Sequence, residues 1–195
     1  MKMGRPREFD VELALDKALN VFWRNGYEGT SIADLTDAMG INPPSLYSAF
    51  GNKEKLFRKA LDRYVQQRTN FWNEAREKPT ARGMVEHLLR ASADFLTDEC
   101  NPRGCMLVRS ALQCSAAEES MERELAARRA MGEVMLRERF EAAKQSGELP
   151  ADFATEDFVR YMMTVLEGMS VRAAAGAGRE DLYKVGDMAM RAWPA

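Results

Sequence analysis

Apolar residues in this chain recur at intervals of three and four, and seldom at two. Val11, Leu15, Ala18 and Phe22 step by +4, +3 and +4, Ile32, Leu35 and Met39 by +3 and +4, and Leu56, Ala60 and Tyr64 by +4. That is the period of one face of an α-helix. Short alternating runs of Val, Ile and Thr, the mark of half-buried strands, are missing. Breakers stand where helices should end, at Gly26, Gly40, Gly51, Pro79, Pro102, Gly147 and Pro150. The pattern predicts an all-α fold without internal repeats.

Charge and length narrow the function. With 195 residues the chain suffices for one domain, or for a small domain joined to a larger one. The 28 Lys and Arg against 30 Asp and Glu leave a net charge of −2, which excludes a histone-like, strongly basic binder. A hydrophobic share of 46% excludes an acidic disordered chain. No apolar run approaches the roughly 18 residues that span a bilayer, so no membrane partner is expected. The segment Met1-Lys2-Met3-Gly4-Arg5-Pro6-Arg7-Glu8 is charged but lacks the apolar stretch of a signal peptide. Together with an odd cysteine number, this predicts a reducing, cytoplasmic location. His87 is the one histidine, so a catalytic triad or a histidine metal site would have to rest on it. No paired metal motif, Gly-rich phosphate loop or nucleophile–base pair accompanies it. Asp98-Glu99 and Glu118-Glu119 are adjacent acids of the kind that is normally solvated. Neither an enzyme nor a cofactor is expected.

A domain boundary is predicted near residue 70. Up to Asn70 the chain carries 11 basic and 9 acidic residues, and beyond it 17 and 21. The N-terminal part therefore has the sign suited to an anion. Methionine divides as well, with three residues before the boundary and ten after.

The first seventy residues carry the most specific pattern. A first helix runs from the N-cap Asp10 to Asn25, with Gly26 as a left-handed stop. After the turn Tyr27-Glu28-Gly29, Thr30 or Ser31 caps a second helix, and Ser31 with Asp34 forms a capping box. That helix ends at Met39 before Gly40. Asn42 caps a third, with Pro43 in the first position, where no N–H is needed. Gly51 ends it after about seven residues, and Asn52 caps a fourth helix that starts at Lys53. Two short helices around a Gly-containing turn make a helix-turn-helix unit, with Leu35, Met39, Ile41, Leu46 and Phe50 as the shared core. Asn42, Pro44, Ser45, Tyr47 and Ser48 then face outward. They are small and mostly polar, which suits entry into a major groove. Three features beside them favour an anion. Arg5 and Arg7 form a basic arm that can reach a minor groove. Thr30 and Ser31 lie at a helix N-terminus, where N–H groups attract phosphate. Lys53 adds a cation at a second such end. Taken singly, each has a plainer reading: Tyr47 as half-buried core, Lys53 as a solvated helix start, the arm as a loose terminus. Their joint spacing carries the DNA reading.

Ala18 and Phe22, Gly26-Tyr27, Thr30-Ser31-Ile32, Asp34-Leu35, Gly40-Ile41, Ser45-Leu46-Tyr47, Phe50, Lys53-Glu54 and Leu56-Phe57 complete the pattern. With them, residues 9–64 closely resemble the DNA-binding domain of the TetR family of transcriptional repressors. The resemblance implies phosphate contacts at Thr30, Tyr47 and Lys53. It implies a base-facing start of the recognition helix at Asn42, Pro43, Pro44, Ser45 and Ser48. Two departures stand out. Pro43-Pro44 replaces a commonly polar pair and removes side-chain donors from base readout. Asn52 replaces a commoner Ser and caps equally well.

The remainder reads as a second helical bundle, with helices near 81–97, 103–114, 118–146, 155–176 and 179–192 following a fourth helix over about 53–74. The resemblance implies a homodimer in which the last long helices of each subunit form a four-helix interface. Phe158, Met162, Val165 and Met169 supply a stripe for it, with Gly168 and Ala173 permitting close approach. Two recognition helices then read a palindromic operator in double-stranded DNA. A small-molecule effector that alters their separation changes the affinity. Met84, Leu88, Leu89, Phe95, Met106, Met162, Met163 and Met169 are candidate linings for an apolar effector, methionine being adaptable. For any one of them plain core packing is the simpler alternative.

Cys100, Cys105 and Cys114 cluster within fifteen residues, at spacings that match no common zinc pattern. Cys105 and Cys114 would face opposite sides of one straight helix. Cys100 and Cys105 flank the loop Asn101-Pro102-Arg103-Gly104, and Arg103 beside them suggests a thiol switch for oxidants or electrophiles. The bland reading is small buried residues. A helical interaction protein without DNA binding is the remaining alternative.

Overall fold

A computed structural model of the chain describes residues 9–113 and 119–194, and among these there are nine α-helices and no strand. Packing separates two compact units, Met1–Gln67 and Arg68–Ala195. The boundary falls inside the long helix α4 (Lys53–Arg76).

The first unit contains α1 (Val11–Asn25), α2 (Ile32–Met39), α3 (Pro43–Phe50) and the start of α4. Its helices begin where capping chemistry dictates. Asp10 accepts from the N–H groups of Glu12 and Leu13 at 2.9 and 3.2 Å. Ser31 and Asp34 close a reciprocal capping box, and Asn42 accepts from Ser45 N–H at 2.9 Å. Asn52 accepts from Lys55 N–H at 2.8 Å. These bonds satisfy donors that a helix start leaves unpaired. Helices of eight residues are marginal by themselves, so the core holds them. Leu35, Leu46, Phe22, Leu56 and Phe57 are all fully buried. Phe22 meets Phe57 edge-on with centroids 4.9 Å apart, and Trp23 meets Tyr64 at 4.7 Å. On the rim Arg63 grips Asp16 through two nitrogens, at 2.8 and 3.1 Å.

The second unit holds α5 (Ala81–Leu96), α6 (Met106–Gln113), α7 (Glu119–Gln145), α8 (Thr155–Ala174) and α9 (Arg179–Met190). Helix α5 packs on α7, α8 and α9, and α6 on α7 and α8. Met84, Leu88, Leu89, Met106, Met162 and Met169 fill its interior. Phe140, Phe153, Phe158 and Trp193 form an aromatic cluster with centroids 5.3–5.9 Å apart. Helix α6 begins at Met106, three residues later than its apolar pattern suggests. The cause is Gly104, whose φ of +86° breaks the chain there. A Cβ on it would lie 3.0 Å from both Ala174 Cβ and the Ser170 carbonyl oxygen. The loop can therefore lie against α8 only with glycine at this position.

Candidate nucleic-acid interface

The helix-turn-helix is built from short-range chemistry. Gly26 closes α1 with φ +72° and ψ 179°, a positive-φ conformation that favours glycine but lies outside the left-handed helical well. Gly40, at φ +71° and ψ 34°, is the left-handed turn between α2 and α3. Its N–H and that of Ile41 donate to the Thr36 carbonyl at 2.9 and 3.1 Å, which ends α2 sharply. Helix α3 then starts on Asn42 and two prolines.

On α3 the buried and exposed faces divide cleanly. Leu46 and Phe50 are buried, Ser45 is half-buried, and Asn42, Pro43, Pro44, Tyr47 and Ser48 are exposed. Tyr47 shows 48% of its surface, high for an aromatic residue and unlike the half-buried core residue it could have been. The exposed set is uncharged, so α3 offers shape and polar edges, and positive charge comes from other elements.

That charge sits at the start of α4. The Lys53 ammonium lies 4.4 Å from the centroid of the Tyr27 ring. Its charge also reaches Asp34. The Asp34 carboxyl is held below the ordinary aspartate range by the Ser31 hydroxyl, then by the Ser31 backbone N–H, and lastly by Lys53. Ser31 is exposed. Its hydroxyl donates to Asp34 at 2.7 Å while accepting from Asp34 N–H at 3.0 Å.

Thr30 departs from expectation. It is 1% exposed, and its hydroxyl donates to the Gly26 carbonyl at 2.7 Å. The side chain therefore braces the α1–α2 turn and is not presented to a phosphate. Arg5, Arg7 and Cys114 lie outside the described residues.

The residues expected to line an effector site lie inside the second unit. Met84, Leu88, Met106, Met162 and Met169 are at most 1% exposed and pack as interior residues of the second unit. Leu89 is buried with them, whereas Phe95 and Met163 are half-buried. Phe95 meets Phe71 at 5.7 Å. An apolar surface groove in this unit is lined by Tyr161, Val165, Lys184, Val185, Met188 and Ala189, none of them in the expected lining. The expected dimer stripe on α8 turns inward at Met162 and Met169. The apolar residues it leaves to solvent are Tyr161 and Val171, joined by Val185 and Met188 of α9. A stripe at helical spacing marks an apolar face but not which of two neighbours covers it.

Around the cysteines, Cys100 is exposed and Cys105 buried. Arg103 donates to the carbonyls of Gly176 and Ala177 at 3.2 and 3.4 Å rather than to a thiol. The guanidinium that meets Cys105 belongs to Arg68, whose Nη1 donates to Sγ at 3.6 Å. Residues 68 and 105 are too far apart in sequence for spacing to have joined them. His87 stands 3.2 Å from Glu74, half-buried on α5.

A capped helix-turn-helix whose second helix is exposed and polar is the arrangement that DNA-binding transcriptional regulators use to enter a groove. Comparison with known proteins makes the assignment specific. Residues 14–60 match the family model of bacterial regulatory proteins of the tetR family, and residues 79–183 match the tetracyclin repressor-like C-terminal domain. The chain is 34% identical to the HTH-type transcriptional repressor ComR of Escherichia coli K12, covering 98% of this chain and 92% of that one. It is 31% identical to the HTH-type transcriptional repressor BdcR of the same organism, over 95% and 90% of the two chains. A cysteine-substituted form of the TetR family regulator CifR, solved with 26-base-pair double-stranded operator DNA, superposes with a TM-score of 0.92. It is 43% identical, over 97% of this chain and 100% of that one. The chain belongs to the tetR family of bacterial regulatory proteins.

Proposed function

We propose that α3 is the recognition helix of a repressor that binds a palindromic operator as a homodimer. The observation that carries this is the outward face of α3. Asn42, Pro43, Pro44, Tyr47 and Ser48 are exposed while Leu46 and Phe50 anchor the helix beneath them. Asn42, Ser45 and Ser48 supply the few polar groups for base edges, and the two prolines supply a rigid, close-fitting surface. Tyr47, Ser31 and Lys53 reach phosphates, and Arg5 and Arg7 serve as a minor-groove arm. The exposed apolar residues Tyr161, Val171, Val185 and Met188 form the face that a second copy covers. A small apolar effector in the second unit shifts operator affinity through the dimer. The protein acts by binding rather than by catalysis, in the cytoplasm.

A gel shift with DNA from upstream of its own coding sequence tests this reading. Tyr47→Ala and Lys53→Ala should each weaken binding, and the affinity should fall steeply with salt. A flat salt response, or binding indifferent to both changes, refutes the assigned surface.

The Arg68–Cys105 contact favours a second reading, in which the effector is a soft electrophile. Cys105 sulfur would form a bond to carbon, as with iodoacetamide, with iodide leaving and the thiol proton passing to water. Mass spectrometry should then find Cys105 alkylated, and Cys105→Ser should abolish any loss of DNA binding that alkylation causes. An unchanged response in that variant excludes this route.

A further inference from the structure

We propose that Tyr27 is a positioning residue for operator binding, its ring face holding the Lys53 ammonium where α4 meets a phosphate. The proposal rests on the DNA-binding surface described above and adds to it a residue that does not touch DNA.

The placement of Lys53 requires an explanation. It occupies the first position of α4, where the helix dipole repels a cation. A lysine there gains nothing from its own helix, and its four-carbon stem leaves the ammonium many alternatives. The structure nevertheless sets Nζ 4.4 Å from the Tyr27 centroid, within the range in which a ring quadrupole attracts a cation.

The ring itself has little freedom. Tyr27 stacks on Phe22 with centroids 6.4 Å apart and planes 16° from parallel. It meets Phe57 edge-on at 5.0 Å. Phe57 lies four residues after Lys53, on the same side of α4. The ring is therefore fixed by the buried aromatic residues of the first unit and offered to the same side of α4 from which Lys53 projects. Gly26, with its positive φ, turns the chain so that Tyr27 falls there. Asp34 also feels the charge of Lys53. The ring face is neutral, so this contact orients the ammonium without itself cancelling the charge.

The test is a double-mutant cycle on the full-length protein, read as affinity for the upstream duplex and as its salt slope. Tyr27→Leu should weaken binding by about threefold per half-site, hence about tenfold for a dimer. Tyr27→Phe, which keeps the ring face, should stay within about twofold of the parent. Lys53→Ala should lower the salt slope by about two, one for each half-site. In the Lys53→Ala background, Tyr27→Leu should then cost little more. Equal losses in both backgrounds would show that Tyr27 merely supports the fold, and would overturn the proposal. So would full affinity in Tyr27→Leu. Should Tyr27→Leu not fold, NMR of the parent decides: the Lys53 Cε protons should be shifted upfield by the ring, and an ordinary position overturns the proposal. If Lys53→Ala binds normally while Tyr47→Ala does not, the positioning role falls alone. If neither weakens binding, the DNA-binding surface falls with it.

Discussion

Replacing Leu46 with alanine removes three carbons from a side chain that is fully buried, while its neighbour Tyr47 is 48% exposed. At about 0.8 kcal/mol for each buried methylene-sized group, the lost transfer energy is about 2.4 kcal/mol. The void that remains brings the cost to about 3 kcal/mol. Against a stability of about 5–15 kcal/mol for a whole domain, that is a large fraction for an eight-residue helix to lose. Tyr47→Ala removes no fully buried group and should cost much less, about 0.5 kcal/mol. Hydrogen exchange of the α1–α3 amides separates the two cases. A destabilisation of about 3 kcal/mol raises the population of the open state, and hence exchange from it, about a hundredfold. Leu46→Ala should show that acceleration, whereas Tyr47→Ala should exchange like the parent yet bind DNA poorly. The reasoning is refuted if Leu46→Ala exchanges within threefold of the parent, or if the two variants accelerate alike. Either result would mean that α3 is not seated by Leu46 with Tyr47 facing outward.

Three further outcomes are expected. Gly104→Ala places a Cβ in a left-handed conformation and 3.0 Å from Ala174; it should cost about 3 kcal/mol by urea unfolding, and a loss under 1 kcal/mol would show that the loop can move aside. The Asp34 carboxyl should titrate below the ordinary aspartate value by NMR, because the Ser31 hydroxyl and N–H hold its charged form. Its folded value being depressed, the stability it contributes is present above the unfolded aspartate range and is lost as the pH falls through the lower folded value. A normal or raised titration point would contradict the capping box. Met188→Glu puts a charge on the exposed α8–α9 face in both copies, so the dimer dissociation constant should rise at least about a hundredfold by sedimentation. An unchanged constant would place the interface elsewhere.

The distribution of these expectations along the chain follows from the range of the interactions involved. Asp10, Ser31, Asn42 and Asn52 cap their helices as the sequence suggests, because a cap is a bond to an N–H two or three residues away. The turn at Gly40 and the outward face of α3 are equally local, since helical period and a few breakers decide them. Thr30 turns inward because its partner, the Gly26 carbonyl, lies across a turn shaped by the positive φ of that glycine. Cys105 shows the limit more clearly. Arg103 is its neighbour in sequence, yet the loop sends that guanidinium to the C-terminal end of α8, and Arg68 arrives instead from α4.

The sequence by itself determined an all-helical chain, the capped starts of α1 to α4, the helix-turn-helix and most of the residues that α3 turns outward, because each depends on periodicity and capping within a few residues. Only the tertiary structure decided that Met162 and Met169 face inward while Tyr161, Val171, Val185 and Met188 remain uncovered. It alone brought Tyr27 under Lys53 and Arg68 to Cys105. An apolar stripe is attracted equally to any apolar neighbour, and a long flexible cation can turn to either side of its helix. Which partner each one meets is settled by how the helices pack, and no local spacing contains that information.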